Sequence, residues 1–354
     1  MSEHDASPLM RQYREIKRGY EHAILFFRVG DFYEMFYQDA QEASRILSIA
    51  LTSRDKNSPN PVPLCGVPYH AATGYIAKLL KAGRTVALCE QVEDPKLAKG
   101  LVRREVVRLY TPGTLVETEF LSPVESNFLA AVAISPTAKP QPVIGLAMLE
   151  VSTGEFWIAE FQGDQAQAQT LDELARLDPR EILFAPTADR QNSAWLDQMK
   201  GVRLCERDAS TFEPERAARL LQEQFHIHSL EAFGCQGLTV GIGAAGAVLN
   251  YFRDTQPTAP LDYIRRPRVR RISDAMHLDS VTIRNLELLK PMGSLDDSHS
   301  GKPATLLAVL DRTVTAMGSR LLRQWLVRPL IHSDAIQARL DAVGELKDRI
   351  AARV

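Results

Sequence analysis

Phe32 and Glu34 place an aromatic ring and a carboxylate two residues apart, directly after an apolar run (residues 23–29) and a Gly-Asp turn signal. An apolar side chain on an exposed turn can be pushed between base steps from the minor groove, which unstacks and kinks the duplex. A carboxylate is out of place beside phosphates unless it accepts a hydrogen bond from an unpaired base edge. The pair therefore suggests a wedge and an acceptor for deformable DNA. The alternative is that Phe32 is an ordinary core residue.

A basic run lies between residues 96 and 108 and has Glu105 as its only acid. Together with Arg54 and Lys56 it could line a groove for phosphates. The alternative is a solvated charged face. The basic residues of the run are Lys96, Lys99, Arg103, Arg104 and Arg108.

The elements around these residues predict a small α/β domain. Ser7-Pro8 is an N-cap followed by a proline, so a helix is expected to about residue 20. Residues 23–29 read as a buried strand, and apolar residues at three- and four-residue spacing predict a helix from about 34 to 47. A third helix, over residues 72–80, and strands over 85–92 and 104–110 complete the alternation.

A second α/β unit is predicted from strands at 128–134, 143–151 and 154–161, the last two joined by a hairpin at Ser152-Thr153-Gly154. After about residue 244 the pattern becomes helical. The predicted helices there cover residues 278–289, 306–311, 317–327 and 333–350. The fold class is therefore multidomain, with two α/β units followed by an all-α segment.

Three other patterns are weak. GIGAAG, residues 241–246, matches G-x-G-x-x-G but lacks the flanking strands of a dinucleotide site, which favours a small-residue helix start packed tightly on a neighbour. His226, His228 and Cys235 lack metal-ligand spacing. No P-loop motif is present, and therefore no phosphate cradle of that type.

Bulk properties exclude some classes of protein. The 354 residues suggest two or three domains, and the net charge of −2 provides no global attraction to polyanions or membranes. The apolar runs are too short to span a bilayer, and the amino terminus does not resemble a signal peptide. Four cysteines without a C-x-x-C motif suit a reducing cytoplasm.

Long motifs in this sequence resemble the MutS family of DNA mismatch repair proteins. In the first unit they are GDFYEMF (30–36), GVPYHA (66–71), CEQVEDP (89–95) and VVRLYTPGT (106–114). In the helical segment they are RNLEL (284–288), LDRTVTAMGSRLLRQWLVRPL (310–330) and ARLDAV (338–343).

The resemblance implies roles for individual residues. The family's Phe-x-Glu motif falls on Phe32, which would stack on the mispaired base, and on Glu34, which would hydrogen-bond it. Arg54 falls on a DNA-contacting position. The domains implied are a mismatch-binding domain (1–112), a linker (113–123), a ribonuclease H-like connector without nuclease activity (124–242) and the start of a helical core or lever domain (243–354).

Family members continue through a clamp and an ATPase domain, so the resemblance implies an amino-terminal fragment that holds no cofactor and is not itself an enzyme. ATP and Mg²⁺ are implied for the full-length protein. The implied partners are double-stranded DNA with mismatches or small insertion/deletion loops, a MutL-type protein and, at full length, a second copy in a homodimer. No membrane partner is implied.

Two rival functions remain open from the residues. Glu150 and Glu155 flank the hairpin of the second unit, and a ribonuclease H-like fold can hold metal with several carboxylates, which would make a metal-dependent nuclease. The near-zero net charge would instead suit an interaction scaffold that does not bind DNA.

Overall fold

The computed structural model describes two six-stranded sheets followed by a group of helices. Lys56, Lys96 and Lys99, three of the predicted basic residues, lie outside the described residues. The described residues are 7–54, 61–93, 100–117, 119–135, 142–186, 194–256, 260–271, 275–292 and 305–349.

The first sheet has the strand order β3-β4-β2-β1-β5-β6. Strand β1 is parallel to β5, and the other neighbouring strands are antiparallel. The elements of this unit are α1 (Pro8–Gly19), β1 (Ile24–Val29), β2 (Phe32–Phe36), α2 (Tyr37–Leu47), β3 (Thr52–Arg54), β4 (Val62–Pro68), α3 (Ala72–Lys81), β5 (Val86–Gln91) and β6 (Arg104–Tyr110).

Helix α1 begins as its sequence predicts, with Pro8 in the first turn and the Ser7 hydroxyl accepting a hydrogen bond from the Met10 amide at 3.3 Å. Met10 and Tyr13 pack against Leu25 and Phe27 on one face of the sheet. Residues of α2 and α3 pack on the other face. The sheet is therefore covered on both sides.

The predicted helix start at residue 34 is wrong. Residues 32–36 form strand β2, and the helix begins only at Tyr37. Met35 and Phe36 belong to different core clusters, because successive strand residues point to opposite faces. The helix-like spacing arose because Phe36 lies four residues before Ala40 and seven before Ala43, which are true helix residues.

The second sheet has the strand order β11-β10-β7-β8-β9-β12. Helix α4 packs on one face, and helices α5 and α6 pack on the other. The elements of this unit are β7 (Phe128–Ile134), β8 (Val143–Glu150), β9 (Glu155–Gln162), α4 (Ala166–Leu177), β10 (Glu181–Phe184), β11 (Arg203–Glu206), α5 (Pro214–Phe225), α6 (Thr239–Thr255) and β12 (Arg268–Val269).

Helix α6 packs unusually closely on the second unit, as the small residues of GIGAAG predict. A Cβ atom on Gly243 would overlap the Phe212 carbonyl, and one on Gly246 would overlap Ala217. On the strand side, a Cβ on Gly145 would overlap the backbone of Val240. The helix is buried along most of its length, and the predicted domain boundary at 242 falls inside it.

Beyond residue 275 the described residues form four helices in the expected places, of which three are shorter than predicted and α9 is one residue longer. Arg320 of α9 donates to the Pro123 carbonyl at 3.0 Å, and Arg328 donates to Glu173 at 3.4 Å. The described contacts of α9 with the second unit are thus largely polar. The helices are α7 (Ser280–Asn285), α8 (Leu306–Leu310), α9 (Ala316–Val327) and α10 (Ser333–Asp348).

Candidate nucleic-acid interface

Phe32 is the first residue of β2 and is an exposed aromatic residue rather than part of the core. Its side chain is 46% exposed. It pairs with Val29 across the β1–β2 turn, where Gly30 adopts a φ of 56°, in the left-handed region that favours glycine. The turn therefore presents a large apolar side chain at the end of the sheet.

Glu34 lies on the same face of the sheet as Phe32, because strand residues two apart share a face. Its side chain is half-buried, and no described residue donates a hydrogen bond to it or forms an ion pair with it. Burial raises the pKa of its carboxyl, while the charges of Arg54 and Arg104 lower the pKa by less. Glu34 is thus a partly desolvated acceptor with unused hydrogen-bonding capacity.

Gly66 keeps the surface beside Glu34 open. It pairs with Glu34 in the β2–β4 register. A Cβ atom at this position would lie 3.3 Å from the Tyr33 carbonyl oxygen and 3.7 Å from Cγ of Glu34. A larger residue would crowd the backbone and occupy space next to the carboxylate.

The opposite face of β2 anchors the strand. Tyr33 and Met35 are buried there against α2 and α3. The Tyr33 hydroxyl donates to Glu90 on β5, and burial together with that hydrogen bond raises the pKa of Tyr33. Phe32 and Glu34 therefore lie on a strand whose opposite face is packed in the core.

The basic residues predicted for this region separate into different roles. Arg54 is the last residue of β3 and is half-buried, and its positive charge lowers the pKa of Glu34. Arg103 is exposed, with its Nε 3.5 Å from Glu105. These two remain candidates for phosphate contact.

Arg104 is held inside the fold and Arg108 is half-buried in an ion pair, so neither is kept as a candidate for phosphate contact. Arg104 is 7% exposed and donates to the Arg28 carbonyl at 2.6 Å and to Gln12 at 3.0 Å. Arg108 pairs with Glu117 at 2.6 Å. The basic run of the sequence gave no sign of these partners, because most of them are distant along the chain.

The carboxylates of the second unit are used by the fold itself. Glu150 accepts hydrogen bonds from the Asn127 amide at 3.1 Å and the Thr153 amide at 2.7 Å, which caps the β8–β9 hairpin. Glu155 lies 3.4 Å from Arg270. Within the described residues, no group of three or more His, Cys, Asp or Glu side chains is arranged to hold a metal ion.

Sequence reasoning did not single out Tyr69, a second exposed aromatic at this end of the sheet. It follows Pro68, which pairs with Phe32, and its side chain is 46% exposed. The guanidinium carbon of Arg28 lies 3.9 Å from its ring centroid. The only signal in the sequence was its place within the family motif GVPYHA.

Across the part of the chain that the structure describes, no helix is both long and apolar enough to cross a membrane.

Comparison with known proteins gives one consistent family. Models described as MutS domain I, MutS domain II and MutS domain III match residues 7–119, 127–265 and 281–353. The chain is 42% identical over 352 residues to the DNA mismatch repair protein MutS of Syntrophomonas wolfei, covering 99% of this chain and 40% of that protein. It is 45% identical over 350 residues to the protein of the same name from Solibacter usitatus, covering 99% and 39%.

A solved Fowlpox virus resolvase in complex with Holliday junction DNA covers 35% of this chain at 8% identity and a TM-score of 0.25, which is too remote to support an argument. The chain spans about 40% of the length of the curated relatives it matches. The three domain matches and the two relatives confirm the resemblance seen in the motifs. The chain belongs to the MutS family of DNA mismatch repair proteins.

Proposed function

We propose that this chain recognises mismatched double-stranded DNA and DNA with small insertion/deletion loops through Phe32 and Glu34. Phe32 enters the minor groove and stacks on the mispaired base. Glu34 accepts a hydrogen bond from that base. The observation that carries the proposal is that an exposed aromatic and a carboxylate without a described donor share one face at the end of an anchored strand.

The selectivity follows from the energetics of opening a base step. Inserting an apolar side chain requires unstacking, which costs a few kcal/mol per step and less where pairing is already disturbed. Every base has a π-face, so the ring itself selects weakly among bases. The preference for mismatches therefore arises mainly from the lower cost of deforming the DNA.

The partial burial of Glu34 supports its role as an acceptor. Burial raises the pKa of the carboxyl, so the negative charge is less favoured in this position. A hydrogen bond donated by an unpaired base would offset that penalty, because hydrogen bonding to the charged form stabilises it. Arg54 and Arg103 would contact phosphates on either side, and Lys56, Lys96 and Lys99 are further candidates that lie outside the described residues.

The test is fluorescence anisotropy with a G·T duplex and its matched twin, at low and moderate salt. The unaltered chain is expected to bind the G·T duplex more tightly, and Phe32→Ala is expected to reduce that preference by about tenfold, since a base–aromatic stack contributes roughly 1–3 kcal/mol. Leu51→Ala is the control, because Leu51 is 50% exposed and lies outside β2.

The same titration is repeated in a complete relative that carries residues 7–119 of this chain. A preference that Phe32→Ala leaves unchanged in that protein would contradict the wedge. Negligible DNA binding there, independent of salt, would favour the interaction scaffold instead.

We propose for the whole protein the activities that the family resemblance implies. The complete protein would be a homodimeric, ATP- and Mg²⁺-dependent sensor that recruits a MutL-type partner, whereas this chain would hydrolyse no ATP. Phosphate release by the purified chain, at a rate that exceeds the buffer control, would contradict the second statement.

We propose that the second unit is a ribonuclease H-like connector without nuclease activity. Its strand order supports this fold, because three antiparallel strands (β7, β8 and β9) are extended by β10 and β11 parallel to β7. Glu150 is hydrogen-bonded to the Asn127 amide, and Glu155 lies beside Arg270. These contacts within the fold support the lack of nuclease activity. Cleavage of duplex or hybrid substrates in Mg²⁺ or Mn²⁺ would restore the nuclease alternative.

A further inference from the structure

Tyr69 is tied to the same turn that presents Phe32. Its backbone amide donates to the Asp31 carbonyl at 2.9 Å, which joins the end of β4 to the β1–β2 turn. Its side chain is exposed to the same extent as that of Phe32. No described residue accepts a hydrogen bond from its hydroxyl. The end of the sheet thus carries two exposed aromatic side chains.

Arg28 holds the Tyr69 ring in place. Its guanidinium lies over the ring, its Nε donates to the Gly30 carbonyl at 2.6 Å, and its Nη1 lies 3.8 Å from Glu90. A cation over an aromatic face is attractive, and this cation is itself fixed by two partners. An exposed ring that is already ordered loses little conformational entropy when it binds a ligand.

The position of Tyr69 indicates which part of a duplex it would meet. Arg28 pairs with Tyr33 in the β1–β2 register, so it lies on the face of the sheet opposite to Phe32. The two exposed rings therefore flank the turn from opposite faces. A base step opened by Phe32 occupies one side, which leaves Tyr69 beside the sugar-phosphate backbone. The Tyr69 hydroxyl, which has no described acceptor, can donate to an oxygen atom there.

We propose, on the basis of the proposed function, that Tyr69 is a second DNA-binding residue that contacts the backbone next to the mismatch. Its ring packs on a deoxyribose, and its hydroxyl donates to a phosphate oxygen. Such a contact is present on matched and mismatched DNA alike. Tyr69 therefore contributes affinity, while Phe32 contributes preference.

The experiment compares Tyr69→Ala, Tyr69→Phe and Phe32→Ala in the anisotropy titration, using this chain and the complete relative that carries residues 7–119. Tyr69→Ala is expected to raise Kd about fivefold for both duplexes, the lower end of an aromatic contact, with their ratio unchanged. Tyr69→Phe retains the ring over Arg28 and removes only the hydrogen bond to the phosphate, so it should raise Kd for both duplexes by less than Tyr69→Ala does. The salt dependence should not change, because a neutral hydroxyl releases no counterion.

The outcomes separate this inference from the proposed function. If Tyr69→Ala binds both duplexes normally while Phe32→Ala loses its preference, the Tyr69 contact is wrong and the wedge stands. If Tyr69→Ala lowers the preference itself, Tyr69 acts by positioning the turn, and the backbone contact is also wrong. If Tyr69→Ala weakens both duplexes while Phe32→Ala has no effect, Tyr69 is supported and the wedge is contradicted.

Discussion

Two carboxylates, Glu181 in the second sheet and Glu34 in the first, are used in opposite ways. Glu181 in the second sheet is fully buried and accepts hydrogen bonds from the Tyr251 hydroxyl at 2.8 Å and the Gly113 amide at 3.2 Å. Glu34 in the first sheet is half-buried and has no described donor. A carboxylate whose oxygen atoms already accept hydrogen bonds within the protein stabilises the fold. A carboxylate whose oxygen atoms have no such donor is available to a ligand. Burial alone therefore does not mark a binding residue.

The largest effect is expected from Glu181→Ala. The substitution leaves the Tyr251 hydroxyl, the Gly113 amide and Arg203, which lies 3.4 Å from Glu181, without their partner. Breaking a buried charged network typically costs about 3–5 kcal/mol of unfolding free energy. Urea denaturation measures it, with Glu181→Gln as the control that keeps one acceptor and the side-chain shape. A loss of less than about 1 kcal/mol, the scale of a single hydrogen bond, would remove the contrast between the two sheets.

Glu34→Ala is expected to affect binding and not folding. The variant should lose about tenfold in preference for the G·T duplex, the scale of one hydrogen bond to a charged group. Its unfolding free energy should not fall, because no described partner is left unsatisfied. Anisotropy and urea denaturation on the same sample measure both quantities. A variant that unfolds more easily and keeps its preference would show that Glu34 is a structural residue like Glu181.

A smaller and less selective effect is expected from Arg54→Ala. Removing a phosphate contact should weaken binding to matched and mismatched duplexes equally, by about threefold, and reduce the slope of log Kd against log salt by about 1. Arg84→Ala provides a control in the same unit, because Arg84, which precedes β5, already pairs with Glu42 at 2.7 Å. An unchanged salt slope in Arg54→Ala would place Arg54 among the structural arginines with Arg104.

The smallest effect is expected from Glu34→Gln on stability. Because burial raises the pKa of Glu34 in the folded state, ionisation opposes folding, and that penalty is complete above the folded pKa and absent below the unfolded pKa near 4.3. Glu34→Gln should therefore unfold at a slightly higher temperature at pH 7.5 and at the parent temperature near pH 4. Glu15→Gln, at an exposed site on α1, controls for the loss of one charge. A variant that melts lower at pH 7.5 would contradict the sign of the pKa shift.

Local sequence patterns predicted the elements well and their boundaries less well. The cap at Ser7, strands β7 to β9 of the second unit and the places of the four carboxy-terminal helices were predicted correctly, because each depends on neighbouring residues. The start of α2 was wrong, since Phe36 fits both the strand pattern and the helix pattern. Only the pairing of Phe36 with Leu64 of β4, 28 residues away, decides between them.

The site was predicted in its residue types but not in its electrostatics. Phe32 and Glu34 were identified from spacing and family motifs. Nothing local could show that Arg104 is held by Gln12, which is 92 residues away, or that Arg28 orders Tyr69. Which charges are free for DNA depends on such distant partners, so the sequence overestimated the basic surface.

The close packing of α6 has a consequence for how the protein is synthesised. The strands on which α6 packs, β7 to β9, have been synthesised by residue 162, but the helix ends only at Thr255. At roughly 5–20 residues per second, a ribosome leaves that apolar face uncovered for about 5–20 s. A chain released at residue 242 would never cover it and is expected to be recovered as aggregate. Nascent-chain protection against proteolysis should accordingly appear only after α6 has emerged from the ribosome.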